Sequence, residues 1–319
     1  MKTSDVIKAY LIARRAQGVQ IRSGARTLRQ FARETGDLSL HEVTPQAVST
    51  FLRGHGTLSA TWTARFSLLA GLYRFAVARG YATRSPLPEL RAKLPPPQTP
   101  YVYTSDELRR LLDAAATVAS SPFSRLQAMT YRTLLLVLYG AGLRISEAIG
   151  LTVADVDLPE RILRIRNTKF YKTRLVPIGP QLAAELTTYL HRRSSLSMPE
   201  AKDSAFLCSR TGHRLAYQYV ITLFQHVRSE AGIGCPPGEP RPPRLHDLRH
   251  TAAVHRVLAW YRSGQDVQQL LPRLATYLGH ANIASTQRYL QMTPELLQEA
   301  STRFAAYAQH EPVPKANHA

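Results

Sequence analysis

The stretch "RAKLPPPQTPY" (91–101) constrains this chain more than any other. Three consecutive prolines, with a fourth at Pro100, fix φ and remove backbone donors, so neither a helix nor a sheet ladder runs through them. A chain of 319 residues has room for two cores. The sequence therefore divides into a segment 1–94, an extended Pro-rich linker 95–101 and a segment 102–319.

The first segment reads as four or five short helices. Thr44-Pro45 offers an N-cap followed by proline at the first helical position. The clearest helix covers 59–79, where Trp62, Phe66, Leu69, Tyr73 and Ala76 recur at spacings of three and four and are expected to form core. Arg65, Arg74 and Arg79 lie off that stripe, each either a phosphate contact or part of a solvated face. Beyond the linker, Thr104 and Glu107 form a capping-box pattern ahead of a helix. A helical region about 124–150 contains "YGAGLRISEAIGL", in which two glycines suit a tight break before Arg144. The period then changes to β-type alternation in "RILRIRNTKFYKTRLVPI" (161–178), read as two or three strands around a polar, lysine-containing turn. Helices follow over 180–194 and 216–232, with an edge strand "SAFLCS" expected between them. A Pro/Gly loop (232–243) precedes "RLHDLRHTAAVHRVLAW", and an amphipathic helix is expected over 294–308. The fold class is mainly α with a small antiparallel β-sheet: a helical N-terminal domain plus an α+β domain.

Charge narrows the function. Lys and Arg number 41 against 22 Asp and Glu, a formal +19, and the pI is near 10.4. Residues 1–93 alone hold 15 basic and 5 acidic residues. A polyanionic partner follows, nucleic acid ahead of a membrane surface. No apolar run reaches 18 residues, "LLLVLYGAGL" (134–143) is too short to span, and residues 1–15 lack an apolar signal-peptide core. Cys208 and Cys235 fit no metal-ligand spacing and read as reduced thiols of a cytoplasmic protein.

Several residues carry candidate chemistry, each beside a plainer alternative. His246 and Arg249 are three apart on one predicted helix face, able to meet one phosphate together or to sit on a helix surface or in a core. His250, one turn from His246, competes for the inward direction. Arg144, at a helix start, offers planar donors to an anion or simply pairs with Glu147 at i, i+3. Lys169 and Lys172 are the only lysines between 93 and 202, and both fall in the predicted β-turn. A lysine there can protonate a leaving oxygen, a task arginine does poorly, or be an ordinary surface residue. Tyr289 is either a nucleophile or a packing residue; as a nucleophile its phenol needs a base or strongly positive surroundings.

Taken in order, "GAGLRISEAIGLTVADVD", "NTKFYKTRLVPIG", "HDLRH" and "LGHANIASTQRY" resemble the successive boxes of the tyrosine recombinases (phage integrase family). The resemblance covers about 101–309, and a weaker one likens segment 1–94 to the family's DNA core-binding domain, leaving 102–319 as the catalytic domain. It implies that Arg144, Lys169, His246, Arg249, His280 and Tyr289 are the catalytic residues. Lys172 and Arg174 match non-catalytic positions, and Glu147 an acidic position that buttresses the site. In the implied mechanism Tyr289 attacks a phosphate of double-stranded DNA and forms a 3′-phosphotyrosyl ester. Arg144 and Arg249 neutralise the growing charge, Lys169 protonates the departing 5′-oxygen, His246 assists proton transfer and His280 donates to the phosphate. Neither metal nor cofactor is required. The expected assembly is a homotetramer on DNA passing through a Holliday junction, monomeric or dimeric when free, with helper proteins as further partners and the nucleoid as its location when bound. Thirty residues separate Arg249 from His280, with 260–273 as the extra length. That and the elaborated 234–243 loop favour a mobile-element recombinase (integration, excision or transposition) over a chromosome-resolving one. The rival expectations are a type IB topoisomerase, a non-catalytic DNA-binding factor and a metal-dependent nuclease.

Overall fold

The computed structural model describes all residues except 20–21, 55–59, 90–98, 119–124, 167–172, 197, 240, 281–285, 287–297, 299–300 and 302–319. The chain forms two compact units, Met1–Gln98 and Thr99–Ala319. The expected linker and the 294–308 helix fall largely outside the described residues.

Among the described residues the first unit contains four helices, α1 (Thr3–Ala16), α2 (Arg22–Glu34), α3 (Pro45–Arg53) and α4 (Ala60–Ala78). The Thr44 hydroxyl accepts from the Ala47 amide and caps α3, with Pro45 in the first turn. Helix α4 buries the stripe read from its sequence, and Trp62 and Phe66 stack at 5.1 Å. Leu28, Phe31, Val48 and Phe51 meet it from α2 and α3. Arg65 is engaged within this unit, donating to the Phe51 carbonyl at 2.7 Å and lying over the Phe51 ring. Arg79 lies over Phe75, and Arg74 is exposed.

In the second unit the Thr104–Glu107 box forms in both directions and starts α5 (Ser105–Val118). Then come α6 (Arg125–Gly140), a one-turn helix α7 (Ile145–Ala148), and strands β1 (Val156–Asp157), β2 (Ile162–Ile165) and β3 (Arg174–Pro177). The strands make one antiparallel sheet in the order β1-β2-β3, with Leu163 opposite Val176 and Ile165 opposite Arg174. Alternation holds: Leu163, Ile165 and Val176 are buried while Leu175 is exposed. Helices α8 (Pro180–Ser194), α9 (Tyr217–Glu230), α10 (Asp247–Arg262) and α11 (Val267–Leu278) complete the described elements. No described helix is long and apolar enough to cross a membrane.

One expectation changes. "SAFLCS" does not form a strand of the sheet. Ala205 bridges Thr152 and Cys208 bridges Arg214 as isolated pairs, because the buried Phe206, Leu207 and Cys208 seat the segment in the core. The extra length at 260–273 is built into the helices. It is the last turn of α10, a turn at Gly264 (φ 73°) and the start of α11, which Asp266 caps by accepting from Gln268 and Gln269 amides. The two helices bury Val254, Val257, Leu271, Leu274 and Leu278 between them. Replacing the fully buried Leu69 of α4 by alanine is expected to destabilise the first unit by about 2–5 kcal/mol, read as a lower urea midpoint with an unchanged slope.

Candidate active site

The site begins where α6 stops. Gly142 takes φ 58°, a left-handed conformation open to glycine, and a Cβ there would lie 2.8 Å from a Leu278 methyl. The turn delivers Arg144 to the N-cap of α7, where its amide donates to Glu147 Oε2 at 3.0 Å. Arg144 Nη1 donates to Glu147 Oε1 at 2.7 Å, so the i, i+3 pair read from the sequence forms. The same carboxylate takes both Nη groups of Arg174 at 3.0 and 2.8 Å, and Arg249 Nη1 stands 3.9 Å from it. Three arginines from α7, β3 and α10 thus surround one acid with a side chain 8% exposed. Burial alone would raise its pKa, but hydrogen bonds from Arg174 and Arg144 outweigh that and hold it at about 2.

The arginines also meet the end of α11. Gly279 adopts φ 69°, and the Gly279 and His280 amides bond back to Thr276 and Ala275 carbonyls, a Schellman closure. The next three carbonyls are taken in turn: Tyr277 by Arg174 Nε at 3.2 Å, Leu278 by Arg249 Nη2 at 2.5 Å and Gly279 by Arg144 Nη2 at 2.9 Å. Arg249 also donates to the Gly142 carbonyl at 2.7 Å. A helix end that would otherwise leave orphan acceptors is satisfied by side chains from three elements.

Histidines flank this centre. His246 is the N-cap residue of α10 and meets His250 edge-to-face at 5.0 Å. His280 Nδ1 is 2.7 Å from Thr286 Oγ1, and Thr286 is fully buried. Burial, and then nearby positive charge, lowers all three. His246 moves below its ordinary value under burial and Arg249; His280 falls to about 4 and His250 to about 3. All three are neutral imidazoles at pH 7. Among the described residues no group of three or more His, Cys, Asp or Glu could hold a metal ion.

The structure brings together Arg144, His246, Arg249 and His280, drawn from α7, α10 and the end of α11. Lys169 and Tyr289 lie outside the described residues, as does Lys172. Two members were not singled out for this centre from sequence. Arg174 shares a strand face with the buried Val176, so an arginine on an inward face was the available signal. Thr286 gave none, since a position six residues from His280 is not a helical neighbour spacing.

A model of the phage integrase family matches residues 102–295. The chain belongs to that family, the tyrosine recombinases. An integrase/recombinase of Sinorhizobium fredii is 34% identical over 303 residues, covering 94% of this chain and 96% of the relative. Tyrosine recombinase XerD of Mycobacterium tuberculosis is 33% identical over 291 residues, 86% of this chain and 87% of that protein. Among solved structures, the Tn1549 transposon integrase with a circular intermediate DNA has a TM-score of 0.67 at 18% identity, covering 95% of this chain and all of that one. A lambda integrase tetramer on a Holliday junction scores 0.65 at 17% identity over 91% of this chain and 77% of that one. These two likenesses concern the recombinase fold.

Two predictions follow from the geometry. The histidine pKa values are depressed relative to the unfolded chain, so their neutral forms stabilise the fold above about pH 6.5, and that contribution is lost as pH falls toward 4 and 3. Glu147 is depressed too, and its contribution is lost between about pH 4.5 and 2. Urea midpoints are expected to fall from pH 6.5 downward, and His250→Gln to flatten the upper part of that fall. Gly279→Ala forces a Cβ within 2.8 Å of Arg174 Nη1 at a positive φ. It is expected to cost roughly 1–3 kcal/mol, measured by denaturation.

Proposed function

We propose that this chain is a site-specific DNA recombinase that cleaves and rejoins double-stranded DNA through a 3′-phosphotyrosyl intermediate, for a mobile element. One observation carries the reading: Arg144 and Arg249, 105 positions apart, converge on one carboxylate and one helix end beside His246 and His280. Three guanidiniums against one carboxylate leave net positive charge, which suits a phosphate whose charge grows during attack. Membership of the family supports the chemistry. The transposon integrase with its circular intermediate and the lambda tetramer on a Holliday junction support DNA and a homotetramer as partners.

In this reading Tyr289 attacks the scissile phosphorus while Arg144 and Arg249 hold the non-bridging oxygens. The phosphorus–5′-oxygen bond breaks, and Lys169 gives that oxygen its proton. His246, neutral at pH 7, accepts the phenolic proton, and His280 donates to the phosphate. The 5′-hydroxyl of a partner strand then attacks the ester, displaces Tyr289 and passes the strands through a Holliday junction. The ester conserves the bond energy, so neither nucleotide nor metal cofactor is required. Residues 1–94 act as the core-binding domain and 102–319 as the catalytic domain, joined by 95–101. The protein works in the cytoplasm at the nucleoid.

The test uses a nicked duplex of the site selected from a randomised pool by covalent capture. A protein–DNA adduct is expected that persists in EDTA and vanishes in Tyr289→Phe; an undiminished adduct in that variant overturns the nucleophile. Lys169→Ala is expected to slow cleavage roughly 10²–10⁴-fold. Sulfur in place of the bridging 5′-oxygen, which leaves without a proton, should restore it. Arg249→Ala is expected to lose roughly 10²–10³-fold in cleavage with binding retained.

A further inference from the structure

We propose that Arg174 is a positioning residue of the phosphate clamp, acting through Glu147 and the carbonyl end of α11. The inference rests on the reading that Arg144 and Arg249 hold the reacting phosphate. Arg174 opens β3 and, unlike Arg144 and Arg249, holds no phosphate oxygen in that reading. Instead its donors face inward. Nη1 and Nη2 take the two oxygens of Glu147, and Nε takes the Tyr277 carbonyl. The guanidinium also lies against the Gly279 backbone, so close that a Cβ there would stand 2.8–3.2 Å from Nη1, Cζ and Nε.

A fork-to-fork pair fixes the plane of a carboxylate, which a single contact cannot do. Glu147 must hold one orientation for Oε1 to meet Arg144 Nη1 while Oε2 meets the Arg144 amide and faces Arg249. Arg174 supplies that orientation. It also divides the acid's charge, so Arg144 is aimed by Glu147 without being its sole partner. Through Tyr277 and Gly279 it bears on the helix end that leads into His280. One side chain therefore ties the sheet to both arginines of the clamp.

The test measures single-turnover adduct formation by the full chain on the captured nicked duplex, with gel-shift binding and thermal unfolding alongside. Arg174→Met keeps the stem and removes the fork, Arg174→Lys keeps the charge without the fork, and Glu147→Gln removes the acid's charge. Arg174→Met is expected to bind DNA within about threefold of wild type, because it removes no phosphate contact. It should form adduct roughly 10–100-fold more slowly, as misaiming reacting groups does. Arg174→Lys should fall between the two. The double variant Arg174→Met/Glu147→Gln should be no slower than the slower single variant, the sign that the two residues act as one unit. Losses that multiply in the double variant overturn the proposal. So do binding that falls in step with cleavage, a lysine variant at the full wild-type rate, or an unchanged Arg174→Met. Tyr289→Phe and Arg144→Ala report on the functional reading separately. Adduct in the first, or wild-type cleavage by the second, sinks that reading; multiplying losses at 174 and 147 with both controls inactive sink only this inference.

Discussion

One carboxylate organises this centre. Glu147 is nearly buried, and a buried charge left without partners is costly, whereas one held by several well-aligned donors is not. It meets that condition by drawing Arg144 from its own short helix, Arg174 from the sheet and Arg249 from α10. The sheet and α10 are too distant in sequence from the acid to be aligned with it by local structure. The acid is thus both a charge to be satisfied and the point where a helix start, a strand start and a helix first turn are brought into register.

The parts of the fold legible in sequence were those governed by neighbours along the chain. The α4 stripe, the Thr44 cap, the Thr104–Glu107 box and the β alternation each depend on residues within a turn or two. At the site, the Arg144–Glu147 pair was legible for the same reason, and it was weighed against an anion clamp as if one excluded the other. The geometry makes them compatible, since the pair aims the guanidinium. Arg174 was passed over because its partners lie 27 and 103 positions away. "SAFLCS" was misjudged because an apolar run reads alike whether it joins a ladder or fills a core.

The two positive-φ glycines at the site, Gly142 and Gly279, show how backbone freedom serves side-chain geometry. Gly142 lets the chain pass a Leu278 methyl while presenting its carbonyl to Arg249. Gly279 lets a guanidinium lie on the main chain and turns α11 into His280. A side chain at Gly279 would push against Arg174, and one at Gly142 against the Leu278 methyl. The α10–α11 pair completes the frame, because its buried contacts set where the α11 terminus falls.

That terminus has an electrostatic consequence. The end of a helix carries roughly half a negative charge, spread over its last carbonyls. Here those carbonyls are spent on Arg174, Arg249 and Arg144. The protein therefore carries an internal counter-ion made of backbone rather than of acid. It lessens the mutual repulsion of three clustered cations in the DNA-free state. Unlike a second carboxylate, it does so without adding a full negative charge that would repel an arriving phosphate.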